Sequence, residues 1–377
     1  MADLVVLAGT LHDGVADEPR AERAVVIEGG RIVDVTDPAR APDAPVRRAA
    51  VVAPGLIDLQ INGGGGVMFN DAPDRDTLRL MARAARAGGT AHLLPTFITA
   101  PGVGYRAAME AVRAALAEAE PGILGLHLEG PFLSPARSGI HPASAVRALG
   151  AEDLDALCAG IGGPLLLTLA PEETTPEVIA RLAGAGIAVF AGHSEADHAT
   201  VIAAAGAGLR GGTHLFNAMS QVAGRAPGMV GALFDDDRLF AGIIADDIHV
   251  HPANLRLARR VMAGRLFLVT DAMATLDAPE ARFVVDGKEI RQKDGRLADA
   301  EGCLAGAHLA MDEAVCNMIR LGGASPAEAL RMASGVPARV LGLEQELGRI
   351  APGMRASLTL FDADLRAAGV VVDGRPF

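Results

Sequence analysis

The chain has 377 residues, of which 50% are hydrophobic and 21% charged, so an intrinsically disordered protein is excluded and a large buried core is expected. A net charge of −12 and only 3% aromatic residues argue against a nucleic-acid partner, which needs basic patches and stacking side chains. Since no apolar stretch reaches about 18 residues, we expect no membrane span.

The cysteine and lysine counts narrow the possible chemistry. The three cysteines, Cys158, Cys303 and Cys316, show no C-x-x-C spacing, which argues against a disulfide scaffold or a cysteine zinc cage and favours a cytoplasmic location. The N-terminus also lacks the pattern of a signal peptide. The only lysines are Lys288 and Lys293, so a Walker phosphate loop is excluded and Schiff-base chemistry on a strand is not expected.

In chain order, the pattern begins with β-strands in residues 3–50, including a hairpin that turns at Gly29 and Gly30. Eight short apolar runs follow, most of them separated by helical patterns. These predicted strands are 51–62, 91–97, 123–129, 164–170, 187–193, 211–216, 240–246 and 265–271. Residues 281–300 are typical of an inserted hairpin, and strand patterns return in 346–377.

Alternating strands and helices predict an α/β fold, a (β/α)8 barrel of the TIM type, although counting alone leaves a doubly wound sheet of eight strands open. Both β-rich ends predict a small β-sandwich built from residues 1–52 and 346–377. The catalytic barrel is then expected to span 53–345 and to carry the inserted hairpin.

Ionisable residues stand at the carboxyl ends of several predicted strands, where barrel enzymes build their sites. Glu129, His193 and His214 form a typical ligand set for a divalent metal with one open position. A single barrel histidine is more often a core residue, but a buried carboxylate without partners would be costly. Asp271 fits a general acid/base better than a helix cap, and His127 fits a supporting position one layer deeper. The remaining histidines outside the motifs are expected to be structural: His12, His92, His198, His251 and His308.

The motifs occur in a specific order along nearly the whole chain. They are APGLID (53–58), GLHLEGPFL (125–133), AGHS (191–194), THLFNAM (213–219), GRAPG (224–228), GIIADDIHV (242–250), LVTDAMA (268–274) and GRIAPG (348–353). The first and last resemble the amidohydrolase superfamily, and the others resemble the N-acetylglucosamine-6-phosphate deacetylase family within it.

The resemblance implies hydrolysis of N-acetyl-D-glucosamine 6-phosphate to D-glucosamine 6-phosphate and acetate in amino-sugar catabolism. It implies Glu129, His193 and His214 as metal ligands and Asp271 as the catalytic acid/base. It also implies a homodimer or a dimer of dimers, because a neighbouring subunit can contribute to the phosphate site. The segments that match substrate contacts are Ile140, His141, Asn217, Ala218, Arg225, Asp246, Asp247, Ile248, His249, Leu304, Ala305 and Gly306.

One departure from the superfamily concerns the number of metal ions. Many members carry His-x-His at the end of the first strand, where this chain has Gln60 and Asn62. Neutral amides are poor substitutes for imidazole ligands, and the fourth strand has no lysine to bridge two ions. We therefore expect one divalent ion per chain, Zn²⁺ first, with Fe²⁺, Co²⁺ and Mn²⁺ as alternatives.

Several alternatives stay open at this point. The chain could deacetylate an isomeric N-acetylated sugar phosphate, such as the galactosamine isomer, or hydrolyse another amide. A non-enzymatic sugar-phosphate binder is disfavoured, since a binder has no need of Asp271. The sequence also leaves open whether His141 or His249 donates to the oxyanion, with Arg225 and one histidine expected to hold the phosphate.

Overall fold

The computed structural model describes residues 2–377 and contains twenty strands and ten α-helices. The strands are β1 (Leu4–Leu11), β2 (Arg20–Glu28), β3 (Arg31–Thr36), β4 (Val46–Pro54), β5 (Leu56–Ile61), β6 (Gly63–Gly64), β7 (Val67–Met68), β8 (Thr90–Ile98), β9 (Leu126–Glu129), β10 (Leu165–Leu169), β11 (Ala188–Ala191), β12 (Gly211–Gly212), β13 (Phe240–Ile243), β14 (Leu266–Leu268), β15 (Arg282–Val285), β16 (Lys288–Lys293), β17 (Arg296–Ala298), β18 (Leu358–Phe361), β19 (Ala367–Val372) and β20 (Arg375–Pro376). The helices are α1 (Arg75–Ala87), α2 (Tyr105–Ala117), α3 (Ala151–Cys158), α4 (Pro176–Gly184), α5 (His198–Gly206), α6 (Gly228–Asp235), α7 (Pro252–Val261), α8 (Met311–Arg320), α9 (Pro326–Met332) and α10 (Gly335–Val340).

The central element is an eight-stranded parallel sheet in the order β14-β13-β12-β11-β10-β9-β8-β5. Its two edges are joined, because the Asp271 N–H donates to the Gln60 carbonyl and the Asn62 N–H donates to the Ala272 carbonyl, both at 2.8 Å. This closure confirms the predicted (β/α)8 barrel and removes the doubly wound alternative. The carboxyl ends of the strands therefore lie around one rim.

The barrel strands are buried on both faces, which explains why they appear in the sequence as continuous apolar runs. All residues of β5, β8, β9 and β10 are buried. Helix α1 shows how the outer layer is set: Asp74 caps its first turn by accepting from the Thr77 N–H, and Leu78 and Met81 pack onto the barrel core. Within residues 2–377, none of the helices is both long and apolar enough to span a membrane.

The two chain ends form a seven-stranded sheet in the order β20-β19-β18-β4-β1-β2-β3, with a separate core that includes Leu11, Ile27 and Leu358. This arrangement confirms the predicted small β domain shared by both termini. Only Gly55 separates β4 from β5, and a Cβ there would lie 2.7 Å from the Ala91 Cβ, so the barrel and the small sheet approach too closely for a side chain. The predicted division at residues 52 and 346 stays a prediction.

The insert contains one strand more than the predicted hairpin, since β15, β16 and β17 pair as an antiparallel sheet. Its two turns are both Asp-Gly pairs with positive φ at each residue, Asp286-Gly287 and Asp294-Gly295. Ile290 and other apolar residues of this sheet pack on Ile98 and Met273, which also line the candidate active site. The insert thus supports one wall of that site.

Candidate active site

Three predicted metal ligands converge at the carboxyl rim of the barrel. Glu129 ends β9, while His193 and His214 follow β11 and β12, and all three are at most 5% exposed. Glu129 Oε1 lies 3.2 Å from His193 Nε2 and 3.0 Å from His214 Nε2, and the two Nε2 atoms are 3.0 Å apart. One carboxylate oxygen and two imidazole nitrogens therefore point to a common position.

The spacing and charge of these donors fit a divalent ion. Tetrahedral bonds of about 2.0–2.1 Å separate ligand atoms by about 3.3 Å, close to the distances found here. Burial alone would raise the pKa of Glu129, but hydrogen bonds with His193 and His214 hold it well below its usual range. Burial likewise opposes protonation of His214, yet the adjacent Glu129 carboxylate raises its pKa. The site thus stabilises positive charge beside Glu129.

The backbone at the site is held in sparsely populated conformations. His193, His214 and Asp271 have φ values of 48°, 37° and 50°, in the left-handed region that non-glycine residues seldom adopt. Each such residue costs roughly 1–3 kcal/mol unless its surroundings enforce the conformation. Two hydrogen bonds enforce the conformation of His193. The Ser134 N–H donates to the His193 carbonyl at 2.9 Å, and His193 Nδ1 lies 2.8 Å from the Arg137 carbonyl oxygen. The turns after the strands therefore aim these side chains into the pocket.

Asp271 lies beside this donor set, is linked to it by the Gln60 amide and is also bound by the Asn62 amide. Burial, followed by the negative charge of Glu129, raises the pKa of Asp271 to about 6. Gln60 Nε2 donates to both oxygens of Glu129 at 3.3 Å and to Asp271 Oδ1 at 3.2 Å, and Asn62 Nδ2 donates to Asp271 Oδ1 at 2.6 Å. The positions that carry His-x-His in other superfamily members here bind the two carboxyl groups through N–H donors.

A buried polar layer lies beneath the site. His127 Nε2 contacts Thr168 Oγ1 at 2.8 Å, and Thr168 Oγ1 contacts Thr213 Oγ1 at 2.6 Å. Burial lowers the pKa of His127 to about 4, so its ring stays neutral. These contacts give His127 a place under Glu129 rather than among its ligand atoms.

Two further histidines line the pocket. The His141 ring is tilted against that of His193, with ring centroids 4.3 Å apart, and its Nδ1 lies 2.9 Å from Thr99 Oγ1 and 3.4 Å from the Thr99 backbone nitrogen. Burial and the neighbouring His193 lower its pKa to about 3, so the ring is neutral. His249 Nδ1 contacts Asp246 Oδ2 at 2.6 Å.

The pocket has a volume of about 460 Å³, within the range of small-molecule sites. Besides the metal set, Asp271 and Asn62, seven of the predicted substrate residues line it: Ile140, His141, Asn217, Ala218, His249, Leu304 and Gly306. Gln60 lies behind the wall, where it binds the carboxyl groups. The structure therefore brings most of the predicted site together within one chain.

The other five predicted residues lie outside this wall. Asp246 holds His249, and Ala305 is fully buried in the core of the insert. Ile248 is half-buried, and Asp247 is exposed with a φ of 64°. Arg225 is exposed in the loop between β12 and α6, so it does not contact the pocket of its own chain.

Sequence reasoning missed Arg137, which is the only arginine or lysine in the pocket wall. Its guanidinium pairs with Glu195, a side chain that is 43% exposed. The available signal was its position in the loop after β9, four residues before His141. Cys303, Ile98 and Met273 also line the pocket and were not predicted, because their side chains carry no distinctive catalytic pattern.

A buried Glu-His-His donor set beside a carboxyl group, at the carboxyl rim of a (β/α)8 barrel, defines a metal-dependent hydrolase. Comparison with known proteins agrees: the amidohydrolase family model matches residues 51–376. A Shewanella sp. (strain ANA-3) N-acetylgalactosamine-6-phosphate deacetylase is 42% identical, the alignment covering 85% of this chain and 81% of the relative. A Haemophilus influenzae N-acetylglucosamine-6-phosphate deacetylase is 38% identical, with 85% of each chain covered. The chain belongs to the amidohydrolase family, in the branch that these deacetylases represent.

Solved structures support the same placement. The crystal structure of N-acetylglucosamine-6-phosphate deacetylase from Pasteurella multocida superposes with a TM-score of 0.95 at 35% identity and covers 99% of both chains. The similarity therefore includes the small terminal sheet and the insert as well as the barrel.

Proposed function

We propose that this enzyme deacetylates N-acetyl-D-glucosamine 6-phosphate, giving D-glucosamine 6-phosphate and acetate, in the catabolism of amino sugars. The observation that carries the proposal is the convergence of Glu129, His193 and His214 within 3.0–3.2 Å of one another, in the pocket that Asp271 also lines. Deacetylases that share most of this chain's length support the substrate class.

Glu129, His193 and His214 would hold one divalent ion, for which Zn²⁺ is our first assignment and Fe²⁺, Co²⁺ and Mn²⁺ are alternatives. When bound, such an ion polarises a carbonyl oxygen and lowers the pKa of water toward 7. The N–H donors of Gln60 and Asn62 face Glu129 and Asp271, which favours one ion rather than two.

Asp271 is proposed to take the proton from the attacking water at its carboxylate and to deliver it to the leaving amide nitrogen. Asn62 and Gln60 both donate to Oδ1, so they fix the carboxyl group while Oδ2 stays free for proton transfer. Without such a proton an amine leaves poorly, and one carboxyl group can serve both steps.

His141 is proposed as the donor to the developing oxyanion. It lines the pocket next to His193, and in the tautomer whose Nδ1 accepts from Thr99 its Nε2 carries the proton that would be donated. His249, oriented by Asp246, is then assigned to the sugar phosphate. The structure thus favours His141 where the sequence left two choices.

The phosphate of the substrate needs cationic partners, and the pocket of one chain contains only one arginine or lysine. Arg137 is suited to this task because it lines the pocket and its carboxylate partner Glu195 is partly exposed to water, which weakens the pair. Arg225 is exposed, and we propose that it reaches the site of a neighbouring subunit in a homodimer or a dimer of dimers. We also propose a cytoplasmic location, in keeping with three unpaired cysteines.

N-acetyl-D-galactosamine 6-phosphate is the second candidate substrate. A relative 42% identical to this chain acts, by its name, on the galactosamine isomer, and one 38% identical acts on the glucosamine isomer. Asp247 is among the residues predicted to contact the substrate, but its exposed position outside the pocket wall gives it no direct contact with the sugar in one chain.

The deciding experiment compares acetate release from both sugar phosphates, each with and without a chelator. We expect a higher kcat/KM for the glucosamine isomer, loss of activity with chelator and recovery on adding Zn²⁺. The Asp271→Asn variant controls for contaminating enzymes. Preference for the galactosamine isomer would favour the second candidate, whereas tight binding without acetate release would show a sugar-phosphate binder.

A further inference from the structure

A second cavity of about 570 Å³ lies at the opposite end of the barrel from the candidate active site. It is bounded by α7, α9, α10 and the segment 344–349, and its floor includes Leu266, the first residue of β14. We call it the amino-end cavity. Asp271 follows the carboxyl end of the same strand, at most about 18 Å further along the chain.

The charge of the amino-end cavity contrasts with that of the whole protein. Four arginines and two glutamates line it, although the chain carries a net charge of −12. Arg259 pairs with Glu328 at 2.8 Å, and Arg331 pairs with Asp17 at 2.6 Å. The remaining two arginines outnumber the one remaining carboxylate, Glu344, and leave a local excess of one positive charge that would attract an anion.

Those two arginines have no carboxylate partner among residues 2–377. Arg339 donates to the Gly264 carbonyl, and Arg349 Nη2 donates to the Gln345 side-chain oxygen at 2.8 Å. Arg349 Nε and Glu344 Oε2 are buried and have no hydrogen-bond partner. The two side chains as a whole are only half-buried and line the cavity, and buried polar atoms without hydrogen-bond partners are costly, so a ligand with both acceptors and donors would stabilise this region.

The rest of the wall is apolar. Met262, Leu266, Met332, Val336 and Leu347 line the cavity and are each at most 5% exposed. A bare inorganic anion would leave this surface without contacts, and a sugar phosphate would place hydroxyl groups against it. A planar heteroaromatic ring would fill it instead.

We propose that the amino-end cavity is a binding site for a nucleoside phosphate. The phosphate would pair with Arg339 and Arg349, whose planar guanidinium groups suit bidentate contacts with phosphate oxygens. The base would lie on the apolar wall, and a ribose hydroxyl would donate to Glu344. This site is separate from the proposed reaction and does not depend on it.

The test is calorimetric titration of the full-length protein with AMP and ATP in the presence of excess D-glucosamine 6-phosphate. We expect saturable binding of one nucleotide per chain, because the sugar phosphate should compete only at the catalytic pocket. Arg349→Gln and Arg339→Gln should each weaken binding about tenfold or more. Arg260→Gln is the matched control, since Arg260 lies on α7 but outside the cavity wall.

Thermal melting of each variant checks that it is folded, and the Arg349 variant keeps the test decisive if the Arg339 variant does not fold. Absence of saturable binding, or binding unaffected by both substitutions, would overturn the proposal. Equal affinity for adenosine and AMP would exclude a role for the arginines. Equal affinity for inorganic phosphate and AMP would exclude recognition of the base.

Discussion

At the scale of single residues, Glu129 and Asp271 show how one pocket gives two carboxyl groups opposite protonation tendencies. Hydrogen bonds with His193 and His214 keep Glu129 ionised, whereas burial and the charge of Glu129 raise the pKa of Asp271 to about 6. Gln60 donates to both groups and so reduces their repulsion. Glu129 is therefore suited to binding a cation, and Asp271 is suited to transferring a proton.

Asp271→Asn tests this division. The amide keeps the size of the side chain but cannot accept the proton of the attacking water, so we expect kcat to fall by about 10²–10⁴-fold. Metal content should stay near that of the wild type, because Glu129, His193 and His214 are unchanged. Turnover near the wild-type rate, measured as acetate release, would contradict the acid/base role, and loss of the metal would show a ligand role instead.

His141→Asn tests the oxyanion donor. Removing one such donor commonly costs about 10²–10³-fold in kcat, so we expect that loss with a much smaller change in KM. His251→Asn serves as a control, since His251 is exposed and only caps α7. A raised KM with unchanged kcat would instead place His141 in substrate binding alone.

The sequence could predict these residues because polar side chains at the ends of apolar strands stand out. It could not place Arg225, since a loop's direction depends on tertiary packing rather than on its own residues. It also missed Arg137, whose importance comes from its position in the folded pocket. The neutral amides of Gln60 and Asn62 predict one metal ion rather than two, but only the folded structure shows their hydrogen bonds to Glu129 and Asp271.

At the scale of elements, the parallel strands were predictable because burial on both faces makes them apolar throughout. Most of the predicted strands are too long: the pattern predicts 211–216, whereas β12 is Gly211–Gly212. The strand predicted at 91–97 is instead shorter than β8. The residues beyond the strand leave the extended conformation, as the positive φ of His214 and Phe216 shows. The sequence predicts a hairpin in the insert, whereas the structure has a second Asp-Gly turn and, after it, the third strand β17.

The contact between β8 and the small sheet should make stability sensitive to acid. His92 on β8 is buried, its Nε2 lies 2.7 Å from Ser357 Oγ, and burial lowers its pKa to about 3. In the unfolded chain the pKa of the ring is about 6.5, so the unfolded state binds more protons than the folded state between pH 3 and pH 6.5. The stabilisation from neutral His92 is present above about pH 6.5 and is lost as the pH falls toward 3.

His92→Asn should therefore reduce the fall in melting temperature between pH 7 and pH 4, even if it lowers stability at pH 7. His198→Asn is the control, because His198 is partly exposed and pairs with Asp235 on the surface. We expect the control to leave the slope of stability against pH close to that of the wild type. An unchanged slope in the His92 variant would show that other buried groups, such as His127, dominate acid unfolding.

At the scale of the whole molecule, the order of strand and helix patterns along the chain predicts the fold, and no single segment does so alone. Eight apolar runs separated by helices predicted a barrel, and β patterns at both ends predicted a shared sheet. Closure of the barrel could not be predicted by counting, because it depends on backbone bonds between residues distant in sequence, Gln60 and Asp271. The sequence could not predict the amino-end cavity either, since its arginines come from separate helices and from the segment before β18.

The number of metal ions depends on the whole carboxyl rim of the barrel. The metal ligands come from the ends of three strands, and the amide donors come from a fourth. We predict one tightly held divalent ion per chain. A second ion would have to occupy the space where Gln60 Nε2 and Asn62 Nδ2 donate to the carboxyl groups. Of the two amides, only Asn62 leaves its buried oxygen without a hydrogen-bond partner, and one neutral oxygen is a weak ligand set for a second divalent ion.

Elemental analysis of the purified enzyme, and titration of the chelated protein with Zn²⁺, should each give one equivalent per chain. Because the ion binds only the folded state, free Zn²⁺ at about 1,000 times its dissociation constant should stabilise folding by about 4 kcal/mol, seen as a rise in melting temperature. Glu129→Gln should abolish both the binding and this rise, whereas Arg260→Gln should retain them. Two ions held with similar affinity would contradict the argument from Gln60 and Asn62.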